Sequence, residues 1–486
     1  MARSENGRQA ASARAVEDAH VSAGERRAKG KALRAEVPRT SHAGWKPRTD
    51  RSDPVELLVA SNVGRVPELI PIRFGRMSAS PFAFYRGSAA IMAADLATTP
   101  TCGLRVQACG DAHLMNFGGY ATPERNLVFD INDLDETLPG PFEWDLKRLA
   151  ASVVIAAQHL RLPERDTARM GEACAREYRE RMRDYGSMHA LDVWYDKIDL
   201  QRFQDRTGDP DVVGQMRKRL AGRIEAERIK TAPAHAYPKL VSQAEATPRI
   251  KDEPPLIYHP SADMFPGLEA AYAEAFAAYR KSLPDHVRVL FDRFRLYDMA
   301  MKVVGVGSVG TVCGVGLFLA AGGNPLFLQV KEARASVLEP YAGKSAYSNH
   351  GQRVVAGQHL MQTASDVFLG WTRVRSGRHF YLRELRDMKI SAAIDGWDTG
   401  LLREYARLCA RALARAHARS GDPAMIAGYL GSGKTFDDAI GAFAVRYAAQ
   451  NRDDYRAFLK AIEDGRIQAS AESPAGKSKS SAGKRR

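Results

Sequence analysis

Hydrophobic and polar positions follow three successive regimes along the chain. From about residue 52 to 160 short apolar runs alternate with helical spacing. VELLVASN (55–62) reads as a helix; a Ser-Pro turn and an aromatic cluster (Phe82, Phe84, Tyr85) follow; and an amphipathic helix starts near Gly87. Two strand-like runs, Leu104-Val106-Ala108 and Leu127-Val128-Phe129, flank a Gly-Gly turn, and LKRLAASVVIAAQHL reads as a buried helix. Residues 161–300 are mainly polar and helical, as in ERDTARMGEACAREYRERMRDYG, GQMRKRLAGRIEAERIK and PGLEAAYAEAFAAYRKSL, with a Pro-rich irregular break at 231–262. Residues 301–390 turn β-branched and Gly-rich. TVCGVGLFLA and LFLQVKEA, joined by GGNP, predict a hairpin; DVFLGWTRV and RHFYLRELRDMK predict two further strands around Ser376-Gly377. Residues 391–464 return to helical spacing. This order predicts an α+β fold with a β-rich lobe set between helical parts.

Charge changes the picture at the ends. The net charge of +14 divides into +6 over residues 1–51, +5 over 465–486 and only +3 over the body between them. Both ends are expected to be disordered basic tails, which would meet nucleic acid only non-specifically. The near-neutral body needs no polyanion partner. Cysteines at 102, 109, 174, 313 and 409 form no CxxC, so neither a disulfide framework nor a zinc site is expected, and a reducing cytoplasm fits best. No apolar run approaches the roughly 18 residues a membrane span needs, and the N-terminus shows no apolar leader.

The candidate chemistry centres on residues 105–150. Gly110-Asp111 follows the first strand-like run, Asn116 comes five residues later, and the second run delivers Asp130, Asp133, Asp135 and Glu136. Oxygen ligands gathered at one sheet edge suit Mg²⁺, which usually takes one or two carboxylates plus substrate phosphates. Asp and Asn are also common in plain turns, so the ordered combination carries the signal. Farther on, Gly305-x-Gly307-Ser308-x-Gly310 fits a loop whose backbone N–H groups approach phosphate oxygens. It leads into a hairpin rather than a helix, which excludes the dinucleotide fingerprint and places Lys331 on the next strand. Glu339 and Glu332 are candidates to pair with Lys331, because QRVVAGQHLMQTASDVF contains no Glu. Arg86 could reach a phosphate, although a surface or ion-pair role is the commoner use of such a residue. Gly428 to Thr435 satisfies GxxxxGK[ST], but no adequate strand precedes it, so a true P-loop is not expected.

The GDAHLMNFG and FDINDLDE segments resemble the catalytic and metal loops of kinase-like phosphotransferases of the aminoglycoside and choline kinase type. The resemblance implies Asp111 as the catalytic loop acid, Asn116 and Asp130 as Mg²⁺ ligands with Asp133 as second choice, and His113 and Asp145 as supports. It further implies Gly305, Gly307, Ser308, Gly310 and Lys331 on the phosphates of ATP, and Glu384 near the hinge beside the adenine. Cys109 departs from the His or Arg usual there. The body, about residues 52–460, resembles the bacterial family catalogued as domain of unknown function 2252, through PFAFYRG, GDAHLMNFG, FDINDLDE, GPFEWDLKRLA, QVKEA, QRVVAGQ, ASDVFLGW, LARAHARSGD and GYLG in order. That family is grouped with kinase-like folds. Because the catalytic-loop motif precedes the glycine loop, the expected architecture is a two-lobed protein-kinase-like fold, circularly permuted, with a helical insertion. Its parts would be 52–160 and 391–464 for the larger lobe, 161–300 for the helical region and 301–390 for the nucleotide lobe. The implied activity is ATP- and Mg²⁺-dependent transfer to a hydroxyl-bearing acceptor. Nucleotidyl transfer and an inactive nucleotide-binding module stay open as alternatives.

Overall fold

The computed structural model describes residues 21–200, 214, 241–242, 248–254, 256–259, 268–303, 305–307, 309–385 and 390–470. It is a mixed α+β protein with several antiparallel sheets. Fourteen strands are numbered in chain order: β1 (Arg105–Ala108), β2 (Phe117–Ala121), β3 (Leu127–Ile131), β4 (Leu138–Pro141), β5 (Ile198–Asp199), β6 (Val241–Ser242), β7 (Arg249–Ile250), β8 (Ile257–Tyr258), β9 (Phe294–Lys302), β10 (Cys313–Ala320), β11 (Pro325–Ala333), β12 (Gly370–Arg373), β13 (His379–Glu384) and β14 (Ile390–Ser391).

Six of them form one antiparallel sheet in the order β8-β9-β10-β11-β13-β12. The predicted hairpin is β10–β11, paired from Cys313↔Lys331 to Leu319↔Pro325. Gly322 and Gly323, both at φ 78°, turn the chain between them, a conformation that costs glycine little. The helix His350–Met361 follows β11 and packs on β11, β12 and β13. It sits so close that a Cβ on Gly351 would lie 2.2 Å from the Phe380 carbonyl oxygen. The sheet begins earlier than expected. FRLYDMAMK, assigned from the sequence to the helical region, is strand β9. It follows the helix Asp285–Phe291 with no Gly or Pro to mark the change of period.

The helical body is built around Phe142–His159, of whose 18 residues 16 are buried. Glu164–Tyr185, Thr399–Ser420 and Thr435–Glu463 pack on it. A small sheet, β14-β2-β3-β5, and the pair β1–β4 pack against Thr399–Ser420 and Phe142–His159. FGGYA, expected as a turn, is strand β2. Its glycines serve close packing, because a Cβ at Gly118 would lie 2.4 Å from both Asn132 Nδ2 and the Ile390 carbonyl oxygen. PFAFYRG is likewise a helix, Pro81–Gly87, started by Ser80, whose hydroxyl accepts the Ala83 N–H.

The expectation of a disordered end over residues 1–51 fails from residue 21 onward. Ser22 and Glu25 form a capping box that starts the helix Ala23–Ala32. Gly30 and Gly428 let this helix touch Pro423–Leu430 backbone to backbone. Arg34 Nε donates to the Tyr429 carbonyl at 2.9 Å, and His42 Nε2 meets the Tyr429 hydroxyl at 2.6 Å. At the other end Ile467 is buried and the Ser470 N–H donates to the Pro71 carbonyl at 2.9 Å. Residues 1–20 and 471–486 of the expected tails lie outside the described residues, as do GQMRKRLAGRIEAERIK (all but Gly214) and TAPAHAYPKL. Among the described residues no helix is long and apolar enough to cross a membrane.

Candidate functional site

One face of the helix Phe142–His159 holds the loop after β1. Asp145 accepts the Cys109 N–H on Oδ2 at 2.5 Å and the Gly110 N–H on Oδ1 at 3.0 Å. Arg148, three residues on, donates from Nε to Asp111 Oδ1 at 2.6 Å, and Nη2 contacts the same oxygen. Ser152 accepts the Leu114 N–H at 2.9 Å. This i, i+3, i+7 stripe follows from helical geometry. His417 Nε2 braces Asp145 Oδ2 at 3.1 Å, and the Tyr178 hydroxyl meets His417 Nδ1 at 2.8 Å. Gly110 has φ 81°, and a Cβ there would lie 2.5 Å from the Glu136 carbonyl oxygen, so the turn needs glycine. Asn116 Nδ2 donates to the Asp111 carbonyl at 2.8 Å. His113 Nδ1 accepts the Met115 N–H, and Nε2 lies 3.9 Å from Asp111 Oδ2. Burial pushes His113 down to about 4 against the pull of Asp111.

The acids after β3 divide between two tasks. Asp130 is fully buried. Arg415 Nη2 donates to its two oxygens at 2.7 and 2.6 Å, and the Thr363 N–H donates to Oδ2 at 2.7 Å. Asp133 and Asp135 instead face Lys331, whose Nζ lies 3.6 and 2.7 Å from their Oδ2 atoms. The Tyr381 hydroxyl donates to Asp135 Oδ1 at 2.6 Å. Buried Arg353, on the helix after β11, ties the Asp135 and Thr137 carbonyls to that of Arg334. Burial works to lower Lys331, but Asp133 and Asp135 outweigh it and hold the ammonium well above its ordinary range. Burial, then Asp133, raises Asp135. Neither expected glutamate pairs with Lys331. Glu332 accepts from Arg378 at 2.9 Å, and Glu339 lies 3.8 Å from His350.

A cavity of about 330 Å³ brings Asp111, Asn116 and Asp133 together with Gly307 of the glycine loop. Lys331 reaches it through Asp133 and Asp135, which both line it. Asp130, His113, Asp145, Gly305, Gly310 and Glu384 are not among its lining residues. The Gly305 carbonyl accepts from Arg76, and the Gly310 carbonyl accepts the Val66 N–H at 2.7 Å, so the glycine loop is strapped to the segment 61–87. Ser308 lies outside the described residues. The Glu384 N–H, at the end of β13, donates to Asp366 Oδ2 at 2.5 Å. The GxxxxGK[ST] match starts inside the helix Pro423–Leu430, with no strand leading into it. Among the described residues no three His, Cys, Asp or Glu side chains converge on a metal position. Asn116 and Asp133, which line the cavity, still carry oxygens that suit Mg²⁺, which takes few protein ligands when phosphates supply the rest.

The sequence alone did not single out Arg148, Arg415, Arg353 or Tyr381. Asp145-x-x-Arg148-x-x-x-Ser152 was a legible helical stripe. The partners from residues 353–415 carried no local spacing to mark them. Residues 65–461 match the family described as uncharacterized protein conserved in bacteria, DUF2252, and the chain belongs to that family. No curated protein and no solved structure matches it.

Proposed function

We propose that this chain is an ATP- and Mg²⁺-dependent phosphotransferase of the kinase-like kind, with its two lobes permuted in sequence and a hydroxyl-bearing acceptor. One observation carries the reading: a single cavity joins Asp111, Asn116 and Asp133 to Gly307 of the glycine loop, between 174 and 196 residues on in sequence, with Lys331 bound to its acids. Strand order supports it. The glycine loop joins β9 to β10, Lys331 is on β11, a helix follows, and β13 then lies between β11 and β12. This arrangement parallels the loop, strand-borne Lys and following helix of protein kinases.

In this reading Asp111 accepts the proton of the acceptor hydroxyl as its oxygen bonds to the terminal phosphorus of ATP and ADP departs. Arg148 fixes Oδ1 and leaves Oδ2 for that task. Asn116 and Asp133 hold Mg²⁺, with Asp133 taking precedence over Asp130, whose oxygens are spent on Arg415 and Thr363. The metal, when bound, neutralises phosphate charge. Lys331 fixes Asp133 and Asp135 beside the phosphates, and the backbone around Gly307 caps them. Calorimetry of the full chain with ATP and Mg²⁺ tests this. Asp133→Asn is expected to weaken Mg²⁺-dependent binding by at least about tenfold, as for loss of a charged ligand, whereas Asp130→Asn acts on stability. Equal binding by wild type and Asp133→Asn would overturn the assignment. The Arg148–Asp111 pair also allows an inactive nucleotide-binding module. Asp111→Asn distinguishes the two, since it abolishes transfer in an enzyme and changes nothing beyond binding in a module.

A further inference from the structure

The acids of the cavity all have counter-groups of their own. Asp111 has Arg148; Asp133 and Asp135 share Lys331; Glu332 has Arg378; and Glu136 accepts the Val337 N–H at 2.7 Å. The cavity wall also carries four arginines, Arg65, Arg73, Arg86 and Arg334, and none makes an ion pair with a carboxylate of the described residues. Their partners are neutral. Arg65 donates to the Val309 carbonyl at 2.5 Å and the Ser61 carbonyl at 3.2 Å. Arg334 donates to the carbonyls of Ser61 and Val63. Arg73, buried at 2% exposure, donates to Asn62 Oδ1 at 2.5 Å, Ser61 Oγ at 3.1 Å and the Gly87 carbonyl at 3.0 Å. The Nε atoms of Arg73 and Arg86 are buried with no hydrogen-bond partner. Burial, then repulsion from Arg334, lowers Arg65 to about 10 against the pull of Glu136 and Glu332. Asp111 attracts Arg86, and Glu136 and Glu332 attract Arg65, but among the described residues no carboxylate lies within ion-pair distance of the four, so a bound anion would recover part of the cost of burying them.

We propose that this wall is an oxyanion subsite that takes a phosphate-type group of the second substrate, so that the acceptor is itself an anionic, phosphate-bearing molecule. Guanidinium forks suit tetrahedral oxyanions, offering paired N–H donors. The placement is specific. The arginines line the same cavity as Asp111, which attracts Arg86, and the Arg86 carbonyl lies 3.4 Å from where a Cβ on Gly307 would stand, beside the glycine loop. An anion seated there holds its molecule within reach of Asp111 while the nucleotide occupies the side of Asp133 and Lys331. The assignment to the acceptor rests on the phosphotransfer reading; the anion subsite does not.

The test is calorimetric titration of the full chain with inorganic phosphate and with pyrophosphate, with and without saturating ADP and Mg²⁺. Wild type is expected to bind one of the two, and Arg86→Gln to weaken that binding at least about tenfold, the scale of one charge-assisted contact. The unliganded melting temperature of Arg86→Gln should not fall, because its side chain donates no hydrogen bond among the described residues and its loss relieves the burial of a cation. If that temperature falls, Arg334→Gln serves as the second variant, with the same expected loss. Binding that persists with ADP and Mg²⁺ present supports the acceptor assignment. Mutual exclusion with ADP would place the nucleotide's own phosphates on the wall and overturn that assignment. No binding by wild type up to about 10 mM, a concentration that bounds a useful affinity, or equal binding by wild type and both variants, would overturn the subsite. Phosphate binding that survives where ADP fails to bind would instead overturn the nucleotide reading and leave the subsite standing.

Discussion

Asp130 and Asp133 are three residues apart in one acidic run, and their surroundings give them different work. Asp130 and Arg415 are both fully buried. Removing one member of such a pair strands a charge away from water. Arg415→Ala is therefore expected to cost about 3–5 kcal/mol, read as a lowered midpoint in urea unfolding. Asp133→Asn, at a side chain 29% exposed, should move that midpoint far less while weakening Mg²⁺-dependent nucleotide binding. A second residue-scale prediction concerns acid. His42 is buried against Tyr429, and burial, then Lys147, lowers its pKa to about 3. The unfolded chain then binds a proton below about 6.5 that the folded chain refuses. The contribution is complete above that pH and declines as pH falls toward 3, by about 1.4 kcal/mol per pH unit. His42→Gln should flatten the stability profile between pH 6 and 4 by close to one proton; an unchanged slope would refute the assignment. These roles were not readable from the sequence. The cluster of acids was visible because it spans seven residues. Arg415 and Lys331, which sort those acids, come from far along the chain.

Elements announced themselves where a period was long and bounded. The β10–β11 hairpin had its GGNP turn, and Phe142–His159 had a long apolar stretch. Strand β2 was hidden because its glycines are there to admit Asn132 and Ile390, and glycine in a short segment reads as a turn. The helix Ala23–Ala32 was hidden by its composition: it is polar, with Gly30 as its buried residue. It is held by backbone approach to Pro423–Leu430 rather than by large apolar side chains. A Cβ on Gly428 would lie 2.2 Å from the Arg27 carbonyl oxygen. Gly428→Leu is expected to unseat residues 23–43, seen as loss of amide exchange protection there, with the interior of Phe142–His159 still protected. Protection retained over 23–32 would show that the glycine contact is not what seats the helix.

At the scale of the molecule, the candidate site lies where a β-rich lobe meets a helical body. The segment 61–87 closes it, strapped to the glycine loop through Arg76 and Val66. The sequence showed both motifs. It did not show the arginine wall, because Arg65, Arg73, Arg86 and Arg334 converge only in the folded chain. The central claim is that the two distant motifs make one nucleotide site. Its most direct measurement is thermal unfolding of the full chain with and without ATP and Mg²⁺, for wild type, Asn116→Ala and Gly307→Val. A ligand of the native state raises the melting temperature as its concentration exceeds Kd. The account predicts a rise in wild type that each substitution removes, one acting through the metal side and the other by filling the loop's approach to the phosphates. A rise that survives either substitution, or no rise in wild type, would contradict it.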